Sequence, residues 1–596
     1  MGGALAHRGP DGDRLFIEPG IALGSWRLAL VDPDHGAQPM SDPSGRWTAV
    51  ANGELFDHRA ERARLAARGA RFATACDTEV WLHAFADEGA AYLPKARGQF
   101  ALAMWDRDER RLLLARDRFG ICPLYTARAD GWLIFASEIK ALFASGLVTP
   151  ALDPKGIDHV FACLCASPSR SAFAGVDPLR PGHVILTRAG DVTTSRFADL
   201  ELARPGDTPL EDAAQISRLD ELLTRALGLR LAADAPVAAY LSSGVDSSLL
   251  VAMAAKQRAV TAFSVQLTDA GDDEAHLAAK TARRLGVEHV VVPIDREAIV
   301  AEFPAVVRAA EVPILDHADA CLLALSRAVR ARGFKAVITG EGADEAFAGY
   351  PWTSLPHRRG GRFAAAAVAA GLGLTLGARQ SALVAKGPFA RTGAARLYAL
   401  TSRARGHLYA DTFWDALGTW TPADDHVWPE RDADPLAWSL YADYECVLAG
   451  HLLADKGDRV AMANSIEPRF PFLDEDVVAF AAALPRSFKL RDGKDKWLLR
   501  EVAARYLPED VAYRKKHMFR AAPVIHAEPR APWVDELLSP PSLARTALFD
   551  PRKVSRALAR RDRRGPRASL LQGGLSAVVS TQLLAHIYCG GGLCSL

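Results

Sequence analysis

The chain has 596 residues, enough for about two to four domains. Apolar residues make up 49% and charged residues 24%, which excludes a disordered chain. A net charge of +1, with Lys and Arg interleaved with Asp and Glu, excludes a general field for nucleic acid or for an acidic surface. The opening segment MGGALAHRGPDGDR carries no apolar core of a secretory signal. Eight scattered Cys do not form a disulfide framework and are expected as reduced thiols in a cytoplasm.

Residues 1 to about 145 alternate short apolar runs with turns. Strands are expected at 20–31, 47–55, within 100–117 and at 131–138, with the polar DRDERR turn inside the third stretch. Helices are expected at 58–69 and 77–89. Strands covered by a few helices predict a layered α+β domain over 1–150. Residues 151–210, rich in Pro and Gly, are read as a packed connector. From 211 to 596 a second domain is expected, and the pattern changes. Strands at 237–241, 260–267, 288–294 and 335–339 alternate with amphipathic helices at 211–233, 247–257, 274–286 and 317–333, which predicts a doubly wound parallel sheet. Beyond 350 the chain is expected to be mostly helical. The uncharged stretch 363–378 is shorter than the ~20 residues of a membrane span and is read as a packing helix, so no membrane partner is expected.

Two loops interrupt this core with small residues and acids. The first, Ser242-Ser243-Gly244-Val245-Asp246-Ser247-Ser248, follows a strand and opens a helix. Small residues let backbone N–H groups approach an anion, hydroxyls add donors, and the helix start adds partial positive charge, so phosphate is the natural guest. Neither the Walker pattern nor G-x-G-x-x-G is present. Asp246 would repel phosphate unless a cation stood between them, which suggests Mg²⁺; the plain alternative is a helix N-cap. The second loop, Gly340-Glu341-Gly342-Ala343-Asp344-Glu345, also follows a strand. Two acidic, glycine-rich loops at strand ends in one sheet can hold Mg²⁺ over a pyrophosphate.

SSGVDSS resembles the S-G-G-x-D-S pyrophosphate loop of N-type ATP pyrophosphatases, with Ser243 in place of the first glycine. GEGADEAFAGY (340–350), DRVAMANSIEPRFPFLD (458–474), KDKWLLREVAARYLP (494–508) and RKKHMF (514–519) resemble the glutamine-dependent asparagine synthetases. HRGPDG (7–12), Arg27-Leu28, NGELFD (52–57), Asp77, RDRFGICPLY (116–125) and ASEIKAL (136–142) extend the resemblance to the amino-terminal part, in the family's order. The resemblance implies an Ntn-hydrolase-like class II glutamine amidotransferase domain that releases ammonia. It also implies a synthetase domain that adenylates a carboxylate with ATP and Mg²⁺, and an internal tunnel between the two. By the same resemblance Leu241, Ser242, Ser243, Gly244, Asp246, Ser247, Thr339 and Gly340 would bind ATP, with Val265 on the adenine side. Asp246 and Asp344 would hold the metal, Glu341 would act at the activated carboxylate, and Lys496 would neutralise the transition state and leaving pyrophosphate. Arg27, Asn52, Gly53, Glu54 and Asp77 would form the glutamine pocket, Arg27 gripping the α-carboxylate and Asp77 the α-ammonium. Family members are often homodimers.

One departure stands out. The family's amidotransferase nucleophile is an amino-terminal Cys, whereas Gly2 follows Met1 here and HRGPDG begins at residue 7. The first strand of that domain is therefore expected to be missing. Either the recorded start is an internal Met or the glutaminase is inactive; as given, the chain is expected to lack glutaminase activity. The leading expectation is conversion of aspartate to asparagine with ammonia. The alternative is a specialised relative, a β-lactam synthetase or a peptide macrolactam (lasso-type) cyclase. β-Lactam formers carry tyrosine where Glu341 stands, which favours ammonia as the nucleophile. A non-catalytic ATP-binding scaffold is disfavoured by Asp246, Glu341, Asp344 and Lys496 standing together.

Overall fold

The structure is a computed structural model that describes the chain apart from residues 189, 201–209, 270–273, 355–391, 393–401, 429–432, 517, 518, 520 and 562–565. The stretch 363–378, expected as a packing helix, lies outside the described residues.

The amino-terminal half is layered β structure. Strands β1 (Asp13–Glu18) and β2 (Ile21–Trp26) form a hairpin. β3 (Met40–Ser41), β4 (Trp47–Leu55), β5 (Gly98–Asp106) and β6 (Arg111–Arg116) belong to a six-stranded antiparallel sheet. β5 is buried along its whole length because both faces of the sheet are covered. Phe100, Leu102 and Met104 pack against Val80, Trp81 and Phe85 of helix Asp77–Glu88, and Ala101, Ala103 and Trp105 pack against Ile21 and Leu23 of the hairpin. A smaller sheet joins β7 (Tyr125–Ala129), β8 (Trp132–Ala136) and β9 (Val176–Pro178).

Residues 183–196, read from the sequence as irregular connector, instead form β10 (His183–Arg188) and β11 (Asp191–Arg196). β10 pairs with β6 through Val184, Ile185 and Leu186, so this hairpin extends the amino-terminal sheet. Pro178, Pro181 and Gly182 just before it gave the stretch its loop-like composition.

The second half holds five strands, all parallel: β12 (Val237–Tyr240), β13 (Thr261–Leu267), β14 (Glu288–Ile294), β15 (Ala336–Ile338) and β16 (Glu467–Arg469). Their order is β14-β13-β12-β15-β16. The chain moves outward from β12 to β14, then returns to the other side of β12 for β15, which makes the carboxyl ends of β12 and β15 a topological switch point. The expected parallel sheet is present, and β16 adds a strand within a region expected to be mostly helical. Helix Arg296–Ala310, with Pro304 inside it, was not anticipated; Asp295 caps it by accepting from the Ala298 N–H at 2.7 Å. No helix among the described residues is long and apolar enough to cross a membrane.

Buried charge joins the halves. Arg8, in HRGPDG, donates to Glu138 at 2.8 Å and to both oxygens of Asp458 at 2.7 and 2.8 Å. Arg469 lies against Glu54 at 3.0 Å and Glu467 at 2.9 Å. Arg97 reaches Asp474 and Asp476, each at 2.7 Å.

Candidate active site

The loop after β12 closes on itself through serine hydroxyls. The Ser242 N–H donates to Ser247 Oγ at 3.0 Å, the two hydroxyls lie 2.9 Å apart, and the Gly244 N–H donates to Ser242 Oγ at 3.1 Å. This holds the start of helix Val245–Gln257 at the end of β12, with Asp246 in its first turn. The loop after β15 comes in beside it. A Cβ on Gly340 would stand 3.2 Å from the Ser247 nitrogen and 3.3 Å from Asp246 Cβ, so glycine permits the close approach. Gly342, at φ +95°, turns the chain into the short helix carrying Asp344 and Glu345.

Lys496 ties the two loops together. Its Nζ lies 2.6 Å from Asp246 Oδ2 and 2.7 Å from Asp344 Oδ1. Lys496 is 1% exposed and sits at φ +51°, an unusual backbone conformation for lysine, at the start of helix Trp497–Ala503. Burial would favour the neutral amine, but the two carboxylates outweigh it and hold the ammonium above its usual range. Burial would likewise raise Asp344, yet Lys496 and Lys516 together push its carboxyl well below the usual range. Lys516 bonds Asp344 Oδ2 directly. It belongs to RKKHMF, which marked the segment in the sequence without assigning this lysine a role. Burial pushes the Glu341 carboxyl up, against the pull of Lys456. Glu345 is pushed up to about 8 by burial and by Asp344, and accepts from the Tyr350 hydroxyl at 2.6 Å.

Leu241, Ser242, Gly244, Asp246, Ser247, Val265, Thr339, Gly340, Glu341 and Asp344 all line one cavity of about 1080 Å³. Ser243 is buried behind it, with its carbonyl accepting from Arg514 at 2.8 Å. Gly349 presses on the centre of the site. A Cβ there would fall 1.9 Å from Asp344 Oδ1 and 2.0 Å from Lys496 Cε. Gly349→Ala is expected to separate the Lys496–Asp344 pair and to cost about 1–3 kcal/mol by overpacking. Thermal unfolding and pyrophosphate release measured on one preparation check this; an unchanged rate in the variant overturns it.

The amino-terminal residues form a second group. Arg27 donates to the carbonyls of Pro33, Val31 and Asp32 at 2.7, 2.8 and 2.8 Å. A Cβ on Gly36 would meet both Arg27 Nη2, at 2.2 Å, and Cys76 Sγ, at 2.8 Å, so Arg27 stands beside the Cys76–Asp77 turn. Asp77 Oδ2 accepts from the Leu55 N–H at 3.0 Å, which brings Asp77 to the end of β4. β4 is paired with β5 throughout, whereas β3 covers only Thr48 and Ala49 on its other edge. Asn52 and Gly53 lie on that partly uncovered edge, and Asn52 Nδ2 is buried with no hydrogen-bond partner. The Glu54 carboxylate points elsewhere, to Arg469, so only its backbone shares this edge. Cys76 donates to Asp77 at 3.5 Å, and burial pushes its thiol up to about 12, which leaves it a poor nucleophile.

A third group lines the same cavity as Glu341. Asp316 and Asp319 flank the start of helix Ala318–Ala331, and His451, Asp455 and Lys456 come from segments Asp443–Leu452 and Ala454–Arg459, which bond i→i+5. This π-helical winding is rare and places positions i, i+4 and i+5 on one side. His451 Nδ1 lies 2.8 Å from Asp455 Oδ2, and Lys456 donates to Asp316 Oδ2 at 2.6 Å.

Residues 218–584 match the asparagine synthase family, and residues 1–198 match the glutamine amidotransferase domain. The chain is 30% identical over 573 residues to the amidase chyE of Penicillium rubens, covering 87% of this chain and 80% of that protein. It is 27% identical over 540 residues to the glutamine-hydrolyzing asparagine synthetase 3 of Bacillus subtilis, covering 87% of this chain and 82% of that one. Against asparagine synthetase 1 of the same organism it is 29% identical over 548 residues, covering 88% and 84%.

Proposed function

Because the chain belongs to the asparagine synthase family, a family of ATP-dependent amidation, we propose that it converts aspartate to asparagine using ammonia. The observation carrying this reading is the single buried Lys496 that bridges Asp246 and Asp344 across two adjacent loops at the switch point. A side-chain carboxylate oxygen of the substrate attacks the α-phosphorus of ATP, and the bond to the β-phosphate oxygen breaks, releasing pyrophosphate. The nitrogen of ammonia then attacks the activated carbonyl carbon, the bond to the AMP oxygen breaks, and the surplus proton leaves the new amide nitrogen.

Backbone N–H groups of Ser242 to Ser247 and the helix start hold the phosphates, while Leu241, Thr339 and Gly340 shape the floor and Val265 faces the adenine. Lys496 supplies positive charge where it develops on the departing pyrophosphate. Glu341, whose carboxyl is raised by burial, is placed to accept the proton of the incoming amine. Mg²⁺ fits this donor set: it favours one or two carboxylates plus phosphate oxygens, and Asp246 Oδ1 is buried with no hydrogen-bond partner. Asp246 and Asp344 would hold it, and it would add positive charge at the triphosphate. Among the described residues no group of three or more His, Cys, Asp or Glu could hold a metal by itself, which is consistent with a site completed by nucleotide. Glutamine would bind between Arg27, Asp77 and the β4 edge at Asn52, Gly53 and Glu54, as the source of ammonia.

A bulkier acid is the second reading. It is favoured by the reach of the cavity beyond the phosphate loops to Phe161, Leu164, Val312 and Phe519. The names of the relatives, amidase and asparagine synthetase, span the same two readings. Incubation with ATP, Mg²⁺ and ammonium, adding candidate acids singly and following pyrophosphate, decides. Release with aspartate is expected; release only with a larger acid supports the second reading, and release with none overturns both.

A further inference from the structure

Three aspartates beside Glu341 have more acceptor oxygens than the protein satisfies. Asp319 is 0% exposed, and neither of its carboxylate oxygens has a hydrogen-bond partner. Asp455 is 6% exposed and lines the cavity; one oxygen takes His451, and the other, Oδ1, has none. Asp316, also at the cavity wall, is paired with Lys456. The two cations of the group are thus already engaged, and the free acceptors belong to Asp319 and Asp455. Buried acceptors without donors are costly and point to a missing donor.

Resting on the proposed amidation chemistry, we propose that Asp455 and Asp319 form the subsite for a free ammonium on the acid substrate. The enzyme then selects an α-amino acid with an unblocked amine. An ammonium has three N–H donors, enough for Asp455 Oδ1 and the Asp319 carboxylate together. The π-helical winding serves this arrangement by putting Asp455 and Lys456 on the side of His451, so that Asp455 keeps one oxygen for a ligand while Lys456 lies toward Glu341. The charges agree. Burial and the neighbouring Asp455 push the Asp319 carboxyl up, so an added cation beside it is favoured, whereas an added anion is not.

The test compares the active acid with its des-amino and N-acetyl forms on the wild-type protein, using pyrophosphate release; for aspartate these are succinate and N-acetylaspartate. At least a tenfold loss of kcat/KM for both analogues is expected, and equal use of either overturns the subsite while leaving the amidation reading intact. Asp455→Asn keeps the shape and removes the charge. Its KM for the amino acid should rise at least tenfold, with the KM for ATP and the already low rate with the des-amino acid unchanged. A purely structural role would depress both acids alike, and a change in the KM for ammonia alone would also overturn the proposal. If no acid releases pyrophosphate, the amidation reading fails, and equilibrium dialysis of labelled aspartate reads the subsite directly. Binding by wild type that weakens tenfold in Asp455→Asn supports it; absence of binding to wild type overturns it.

Discussion

Lys496→Met is expected to lower pyrophosphate release by roughly 10²–10³-fold, the loss that follows removal of one preorganised charge partner from a transition state. The Lys496 side chain is almost fully buried and touches both acidic loops, at 2.6 and 2.7 Å, so no neighbouring solvent can replace its charge. Methionine fills a similar volume, which confines the loss mainly to electrostatics. The fall should appear in kcat, because the charge is needed most as pyrophosphate departs, with a smaller change in the KM for ATP. Stability should drop less than activity, since Asp344 keeps its bond to Lys516. Steady-state kinetics on the variant, with its unfolding curve, check this; near-wild-type kcat in a folded variant would sink the role assigned to Lys496.

Arg469→Met is expected to destabilise the protein by about 3–5 kcal/mol, the usual consequence of removing one partner from a buried ion pair. Arg469 is 0% exposed and binds Glu467 at 2.9 Å, Glu54 at 3.0 Å, and the carbonyls of Arg230 and Ala232 at 2.9 and 3.3 Å. Its loss strands two buried glutamates, one from each half of the chain. Burial already pushes both carboxyls up, with Arg469 opposing. Without that opposition they bind protons more readily, so the penalty should be largest above neutral pH and shrink on acidification. Denaturant unfolding at two pH values measures this, and adding Glu54→Gln and Glu467→Gln should recover part of the loss. A variant as stable as wild type at pH 8 would show that the pair does not join the two halves.

Much of the synthetase half was legible because its signals are local. Hydrophobic period marks β12, β13 and β14, and small residues with acids mark the loops that follow β12 and β15. Arg27 and Asp77 could be named from motifs, but their adjacency depends on the turn held by Gly36. Glu54 shows the limit of motif reading: it stands in NGELFD, yet its carboxylate belongs to a pair with Arg469, 415 positions away by the difference of their numbers. The β10–β11 hairpin was hidden because flanking Pro and Gly outweighed a short apolar run, and pairing with β6 supplied the stability that local propensity did not.

By itself, the order of residues determined that two acidic turns follow parallel strands and that a lysine of a matching motif follows more than 150 residues later. Such features depend on neighbours along the chain, and the chemistry of phosphate and carboxylate limits what they can be. Only the tertiary structure decided that Lys496 spans Asp246 and Asp344, that Lys516 joins them, and that Asp319 and Asp455 meet beside Glu341. Those contacts are set by sheet order and by the winding of a distant helix, and removal from water makes their charges interact strongly. Neither burial nor long-range proximity is written in any local window of residues.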